Sequence, residues 1–369
     1  MRRDLFIDTA RLAACCEGNA AFGKEIIEAF GNASEIFDFG PKGAVEHFPP
    51  LARITGRLFS RERYDAAERD VDWALEHGVD MVTIDSSRYP QRLKECPDAP
   101  LMLYMKGECN FSRERFIAIV GTRAATQYGR RYCDKIVEGL ARCGIKPVVV
   151  SGLALGIDTY AHTFALRYGL DTVAVMGTGF DQIYPHTNQN LAYEILDHGA
   201  LVTEFSPFTP SYPINFVRRN RIIAGLADCT MVVESKSKGG GLITAGLAQD
   251  YNRSVFALPG RIDDNTFKGC NEIIEENTAA IVTGASSIIN AMGWGDDDGS
   301  LPLDFGGAST PAGGAKQQII KFLRDHPESD VTAIAAALGN TARDLSIPLL
   351  ELEMDGTIYL TSGDKYRAN

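Results

Sequence analysis

Seven short apolar runs recur between residues 116 and 282: Phe116–Val120, Val148–Val150, Thr172–Met176, Leu201–Phe205, Thr230–Val233, Val255–Leu258 and Ala280–Val282. Between them lie stretches of helical spacing, such as Cys133, Ile136, Val137, Leu140 and Ala141, and later Leu191, Ile195 and Leu196. A strand that is apolar throughout must be covered on both faces, and strands joined through helices run parallel. The alternation therefore predicts an α/β chain with a Rossmann-like, doubly wound parallel sheet.

At 369 residues the chain exceeds one ordinary core, so the flanks are expected to form further units. Residues 1–80 read as short helices punctuated by Gly18, Gly23, Gly31 and Gly40, with a helix-hairpin-helix (SAM-like) flavour around residues 22–31. Arg57, Arg61, Arg63 and Arg69 alternate with Glu62, Asp65, Glu68 and Asp70, the pattern of a solvated helical face. Residues 81–112 read as an irregular lead-in broken by Pro90, Pro97 and Pro100, and the Rossmann-like domain is expected to span 81–295. Residues 296–315, rich in Asp, Gly, Ser and Pro, read as a linker. The last unit, 316–369, is expected to be a winged helix: helices around Ile319–Leu323, over Val331–Leu338 and over Thr341–Met354, then a strand Thr357–Thr361. Its third helix carries Arg343, Asp344, Glu351 and Glu353, an acidic balance that suits a protein contact better than a DNA groove.

The formal net charge is −11, but it is spread unevenly. Residues 1–80 contribute −5 and residues 296–315 contribute −4, whereas 81–295 is balanced. A local basic site is therefore compatible with an acidic chain. No apolar run approaches the roughly 20 residues that span a bilayer. The polar start and the eight cysteines, none in a C-x-x-C pair, predict a cytoplasmic protein with reduced thiols, no membrane partner and no metal site.

In an open parallel sheet, ligands gather beyond the carboxyl ends of the strands. Those ends carry Gly121-Thr122-Arg123, Ser151-Gly152 with the loop to Asp158, Gly177-Thr178-Gly179, and Lys236-Ser237-Lys238-Gly239-Gly240-Gly241. Phe216, Arg218, Arg219, Asn220 and Arg221 precede the fifth run, with Glu204 and Asp228 as the nearest carboxylates in sequence. Guanidinium forks match phosphate oxygens in pairs, and glycine loops at helix starts leave amides for oxyanions. The segment thus predicts phosphate binding. Neither G-x-G-x-x-G nor G-x-x-x-x-G-K-[ST] is present, so no NAD or ATP cofactor is indicated. The six histidines lack metal spacing; His162 reads as a packed side chain and Asp158 as a helix N-cap. Glu204 and Glu234 are the acid/base candidates at that edge, and no catalytic set surrounds them.

Taken in order, these loops resemble the DprA/Smf family of DNA-processing proteins. The likeness is carried by Ile119–Arg123, Ser151–Asp158, Tyr184-Pro185 with Asn188 and Asn190-Leu191, Arg219–Leu226, Val233-Glu234, Leu242–Ala245 and Phe256–Gly260. It implies a non-enzymatic homodimer that binds single-stranded DNA and loads the recombinase RecA during natural transformation. It also implies phosphate contacts from Arg123 and Arg221, with Arg219 or Arg218, backbone amides from Ser151-Gly152 and Gly239–Gly241, and a base contact from Phe216. The family's usual Phe-Pro is Phe216-Val217 here, and its Ser-Gly-Ser is Gly239-Gly240-Gly241. Two rival readings are a nucleotide phosphoribohydrolase of the lysine-decarboxylase-like kind and a protein-interaction scaffold. The first lacks the proline and trailing glutamate of P-G-G-x-G-T-x-x-E around Gly239–Gly246.

Overall fold

A computed structural model describes residues 2–295 and 312–368, apart from Glu114, Cys143, Ile145, Asp355 and 362–364. The chain forms two compact units, Met1–Ser300 and Leu301–Asn369. The first opens with helices α1 (Arg2–Cys15), α2 (Ala20–Phe30), α3 (Ala33–Asp38), α4 (Gly40–His47), α5 (Thr55–Leu58) and α6 (Arg61–Glu76). Asn19, Asn32 and Ser60 cap α2, α3 and α6 by accepting backbone N–H bonds, which satisfies donors that a helix start leaves open. On α6 the expected intrahelical pair forms, Arg61 to Asp65 at 2.7 Å.

These helices do not stand apart from the sheet. Leu12, Ile26, Phe30, Leu51 and Leu58 belong to the same buried core as Ile117, Ile119 and Val149. A smaller cluster joins Ile7 of α1 and Val71 of α6 to Met81, Met102 and Tyr104. Those last residues lie on β1 (Asp80–Thr83) and β2 (Met102–Gly107), separated by α7 (Gln91–Lys94). The lead-in is thus two strands rather than irregular chain. Both are antiparallel, with β1 on β2 and β2 on the parallel sheet, so short proline-bearing connections suffice where parallel pairing would need a crossover.

From residue 116 the seven expected strands follow: β3 (Phe116–Val120), α8 (Gln127–Arg142), β4 (Val148–Ser151), α9 (Ile157–Arg167), β5 (Thr172–Val175), α10 (Gln189–Leu196) and β6 (Gly199–Thr203). Then come α11 (Pro213–Leu226), β7 (Cys229–Val232), α12 (Gly240–Asp250), β8 (Ser254–Ala257), α13 (Lys268–Glu275), β9 (Ala280–Ile281) and α14 (Ala285–Ala291). The sheet order is β1-β2-β6-β5-β4-β3-β7-β8-β9, and β6 through β9 pair in parallel. The strand order reverses between β3 and β7. The chain leaves β6, crosses on α11 and re-enters beside β3, so α11 lies over the ends of the strands between.

The second unit contains α15 (Ala312–Asp325), β10 (Ser329–Asp330), α16 (Val331–Leu338), α17 (Ala342–Met354), β11 (Ile358–Thr361) and β12 (Lys365–Ala368). Its antiparallel sheet β10-β12-β11 and three helices make the expected winged helix around Ile319, Leu323, Ile334, Leu345, Leu349, Leu352 and Ile358. α16 ends at Gly339 in the left-handed conformation, which costs glycine nothing. Of the expected linker 296–315, residues 296–311 lie outside the described residues, and 312–315 already belong to α15, so the last unit begins earlier than the composition suggested. Among the described residues no helix is long and apolar enough to cross a membrane.

Candidate nucleic-acid interface

The site forms where β3, β4, β5 and β7 end and α11 passes over them. Arg123 follows β3 and is exposed, with its guanidinium carbon 5.6 Å from the centre of the Phe216 ring. Among the described residues no carboxylate pairs with it. Phe216 packs over Gly177 at the end of β5, where an added Cβ would lie 2.7 Å from the ring. Tyr184, 43% exposed, sets its ring 5.3 Å from that of Phe216. A cation and two rings therefore share one surface. Tyr184 was absent from the expected site residues: Tyr184-Pro185 helped to carry the family resemblance, but nothing in the sequence set its ring beside Phe216.

Two hydrogen bonds hold the Arg123 loop in place. Thr122 donates its N–H to the Glu234 carbonyl at 2.8 Å, and Ile157 donates to the Thr122 carbonyl at 3.1 Å. Further on, Thr126 donates both its N–H and its hydroxyl to Glu234 Oε2, each at 2.9 Å. Glu234 is fully buried, so it acts as a clamp on this loop, not as an acid or base facing a substrate. Gly156 closes the other side with φ +81°, its missing Cβ leaving room for the carbonyls of Thr122 and Arg123.

Beside this loop stands the start of α12. Gly239 is its N-cap, Gly240 and Gly241 form its first turn, and Gly241 lies against Gly121 with 3.3 Å from an added Cβ to the Gly121 Cα. Nothing lies within 4 Å of an added Cβ at Gly240, so the helix end opens outward. First-turn N–H groups have no intrahelical acceptor, and exposed Lys236 and Lys238 precede them.

The arginine segment departs from expectation. It lies in the middle of α11, not at its start, so the helix's free amides do not assist it. Arg219 is buried, at 3% exposure, and its Nη1 donates to the carbonyls of Gly152 and Val175. It is a strut beneath the strand ends and cannot reach a phosphate. Arg221 donates to Glu204 and to the Asp98 carbonyl, and Arg218 to Glu17 at 2.7 Å. Arg221 is neutralised by Glu204, one of the two nearest carboxylates in sequence, but Arg218 by Glu17, about two hundred positions away, while Asp228 pairs with Arg92. Asn220 is half-buried on the same helix. Helical geometry splits the segment: Phe216 and Arg219 face the strand ends, while Arg218 and Arg221 turn to the other side, toward Glu17 and toward Asp98 and Glu204.

The Ser151-Gly152 loop is also turned inward. Ser151 is buried and donates its hydroxyl to the Ile119 carbonyl at 2.6 Å. Gly152 is glycine because Arg219 occupies its side-chain position, with the guanidinium 2.5 Å from an added Cβ. The loop faces an internal carboxylate, Asp158, whose charged form is favoured by the backbone amides of Ala154 and Gly152. Asp158 is therefore not the N-cap, which is Gly156, but a buried carboxylate in the first turn of α9. Burial pushes it up to about 6 despite the nearby Arg219 charge, and burial brings Arg219 down to about 10. His162 is packed as expected, Nδ1 2.7 Å from Thr172 Oγ1, and burial lowers it to about 3. Burial likewise raises Glu204.

The family model for DNA recombination-mediator protein A matches residues 80–293, the stretch that holds this site. DNA processing protein DprA of Streptococcus pneumoniae is 40% identical over 196 residues, 53% of this chain and 68% of the relative. The chain belongs to this DNA-processing family. Protein Smf of Escherichia coli is 32% identical over 308 residues, 81% of this chain and 80% of the relative. Among solved structures, DNA processing protein A from S. pneumoniae superposes with a TM-score of 0.56 at 31% identity, over 73% of this chain and 97% of that one. DNA processing protein A from Helicobacter pylori, described for its single-stranded DNA binding mode, gives 0.52 at 29% identity, over 57% and 95%. The Rossmann-like architecture is thus that of its family.

Proposed function

We propose that the rim around Arg123 binds single-stranded DNA without base preference. Arg123 meets a backbone phosphate, Phe216 and Tyr184 offer ring faces to a base, and the open start of α12, with Lys236 and Lys238, takes a neighbouring phosphate. The observation that carries the reading is the exposed Arg123 guanidinium, unpaired among the described residues and set beside two aromatic rings. The H. pylori relative, described for binding single strands, supports it. The sealed Glu234 and the Arg221-bound Glu204 favour binding over hydrolysis. The family resemblance adds RecA and a second copy of the chain as partners, in a cytoplasmic role of delivering incoming strands to the recombinase.

Fluorescence polarisation of a labelled oligothymidylate, titrated over a range of salt, tests the rim. Arg123→Ala should weaken binding about tenfold and reduce the salt slope by roughly 0.7, the loss of one single-strand phosphate contact. Phe216→Ala should cost about 1–3 kcal/mol and leave the slope unchanged, because stacking releases no counterions. Unchanged binding by both variants would falsify the reading.

A further inference from the structure

Arg218 and Arg221 face away from the rim, into a cavity of about 560 Å3 between α1, α6 and the β6–α11 loop. That volume falls within the roughly 300–1,000 Å3 of small-ligand pockets. Most of the charged groups lining it are already engaged. Arg69 pairs with Asp70, Arg221 with Glu204, and Tyr251 donates its hydroxyl to Asp98 at 2.5 Å. Two guanidiniums differ. Arg63 lines the cavity with no ion pair among the described residues, and Arg218, 34% exposed, is held by Glu17, which is 65% exposed. The turn that carries Glu17 lies close over Arg218, its Nη2 3.2 Å from an added Cβ at Gly18. Phe208 and Tyr212, 41% and 57% exposed, stand at the same cavity.

We propose that this cavity is a second nucleotide site, taking a phosphate on Arg63 and Arg218 and a base against Tyr212 and Phe208, with Glu17 occupying Arg218 until a nucleotide displaces it. An ion pair this exposed is weak, so a phosphate, with more charge and more acceptor oxygens, can replace the carboxylate. Of the cavity's remaining carboxylates, Asp70 and Glu204 are paired with Arg69 and Arg221, and Asp98 accepts the Tyr251 hydroxyl. The inference rests on the single-strand reading for its natural ligand, a nucleotide further along the bound strand. The N-terminal helices thereby become part of the binding apparatus.

The test uses the full chain, oligothymidylate and the Glu17→Gln variant, whose side chain is solvent-facing and whose fold is safe. Glu17→Gln should tighten binding three- to tenfold and steepen the salt slope by roughly 0.7. Adding Arg218→Ala should abolish that gain, and Arg63→Ala should weaken wild-type binding several-fold. Titration with thymidine monophosphate separates the sources of the ligand: tightened binding of the mononucleotide by Glu17→Gln supports the site and assigns it to free nucleotides as well. If Glu17→Gln leaves affinity and slope unchanged while Arg123→Ala loses affinity, this second site is refuted and the rim stands. If Arg123→Ala is neutral and Glu17→Gln still tightens binding, the rim reading is refuted and the cavity stands.

Discussion

Arg123 and Arg219 are both arginines at the strand ends, and their roles are opposite. Arg123 is exposed and adds charge to a surface; Arg219 is buried and donates to two carbonyls at the strand ends. Arg219→Met should therefore lower stability by about 3 kcal/mol in urea denaturation, since it removes a buried donor from both carbonyls and strips the charge facing Asp158. Arg123→Ala should leave the unfolding midpoint unchanged, so stability and binding measurements on the pair separate strut from contact. Asp158 adds a pH signature. Its folded value, about 6, lies above the ordinary carboxylate value near 4, so the stability it contributes is full below about 4 and is lost as pH rises through 6. The stability of Asp158→Asn minus that of wild type should accordingly grow between pH 4 and 6, by at most about 3 kcal/mol. Taking the difference removes the opposing contribution of His162, whose lowered value makes the fold gain stability as pH rises.

The loop from Gly121 to Thr126 shows how an element's position is set from outside itself. Three of its hydrogen bonds run to Glu234, two of them to the carboxylate at the end of the neighbouring strand. Glu234→Gln keeps an acceptor oxygen for Thr126 and should bind single strands nearly as wild type does. Glu234→Ala releases the loop and should weaken binding about tenfold while costing about 1–2 kcal/mol of stability. An outcome with both variants equally impaired in binding would point to the carboxylate's charge and away from positioning. α11 gives the complementary lesson. Its apolar residues Ile222, Ile223 and Leu226 announce a buried face, but a helix that crosses a sheet has two working faces. Spacing alone shows which side chains share a face; it does not show what each face meets.

At the scale of the molecule, the two units have separate cores and the N-terminal helices have none of their own. A chain ending at residue 300 should fold, with single-strand affinity within about twofold of wild type if the rim holds the DNA. A chain beginning at residue 81 should aggregate, because removing the helices bares Met102 and Tyr104 of β2 and the neighbouring Leu101, which they help to cover. Size-exclusion chromatography and thermal melts of the two truncations would check both outcomes.

The seven strands from residue 116, the parallel sheet and the winged helix were legible in the sequence because apolar periodicity is a local property, set by which residues must avoid water over a few positions; β1 and β2, in a proline-broken stretch, were not. The rim was legible in part: Arg123 and the glycines of α12 announce themselves by following strands. The fate of Arg218, Arg219 and Arg221 was decided by the tertiary structure alone. A charge is neutralised through space, and the groups that engage these three, Glu17, Gly152, Val175, Glu204 and the Asp98 carbonyl, are gathered from five separate stretches of the chain.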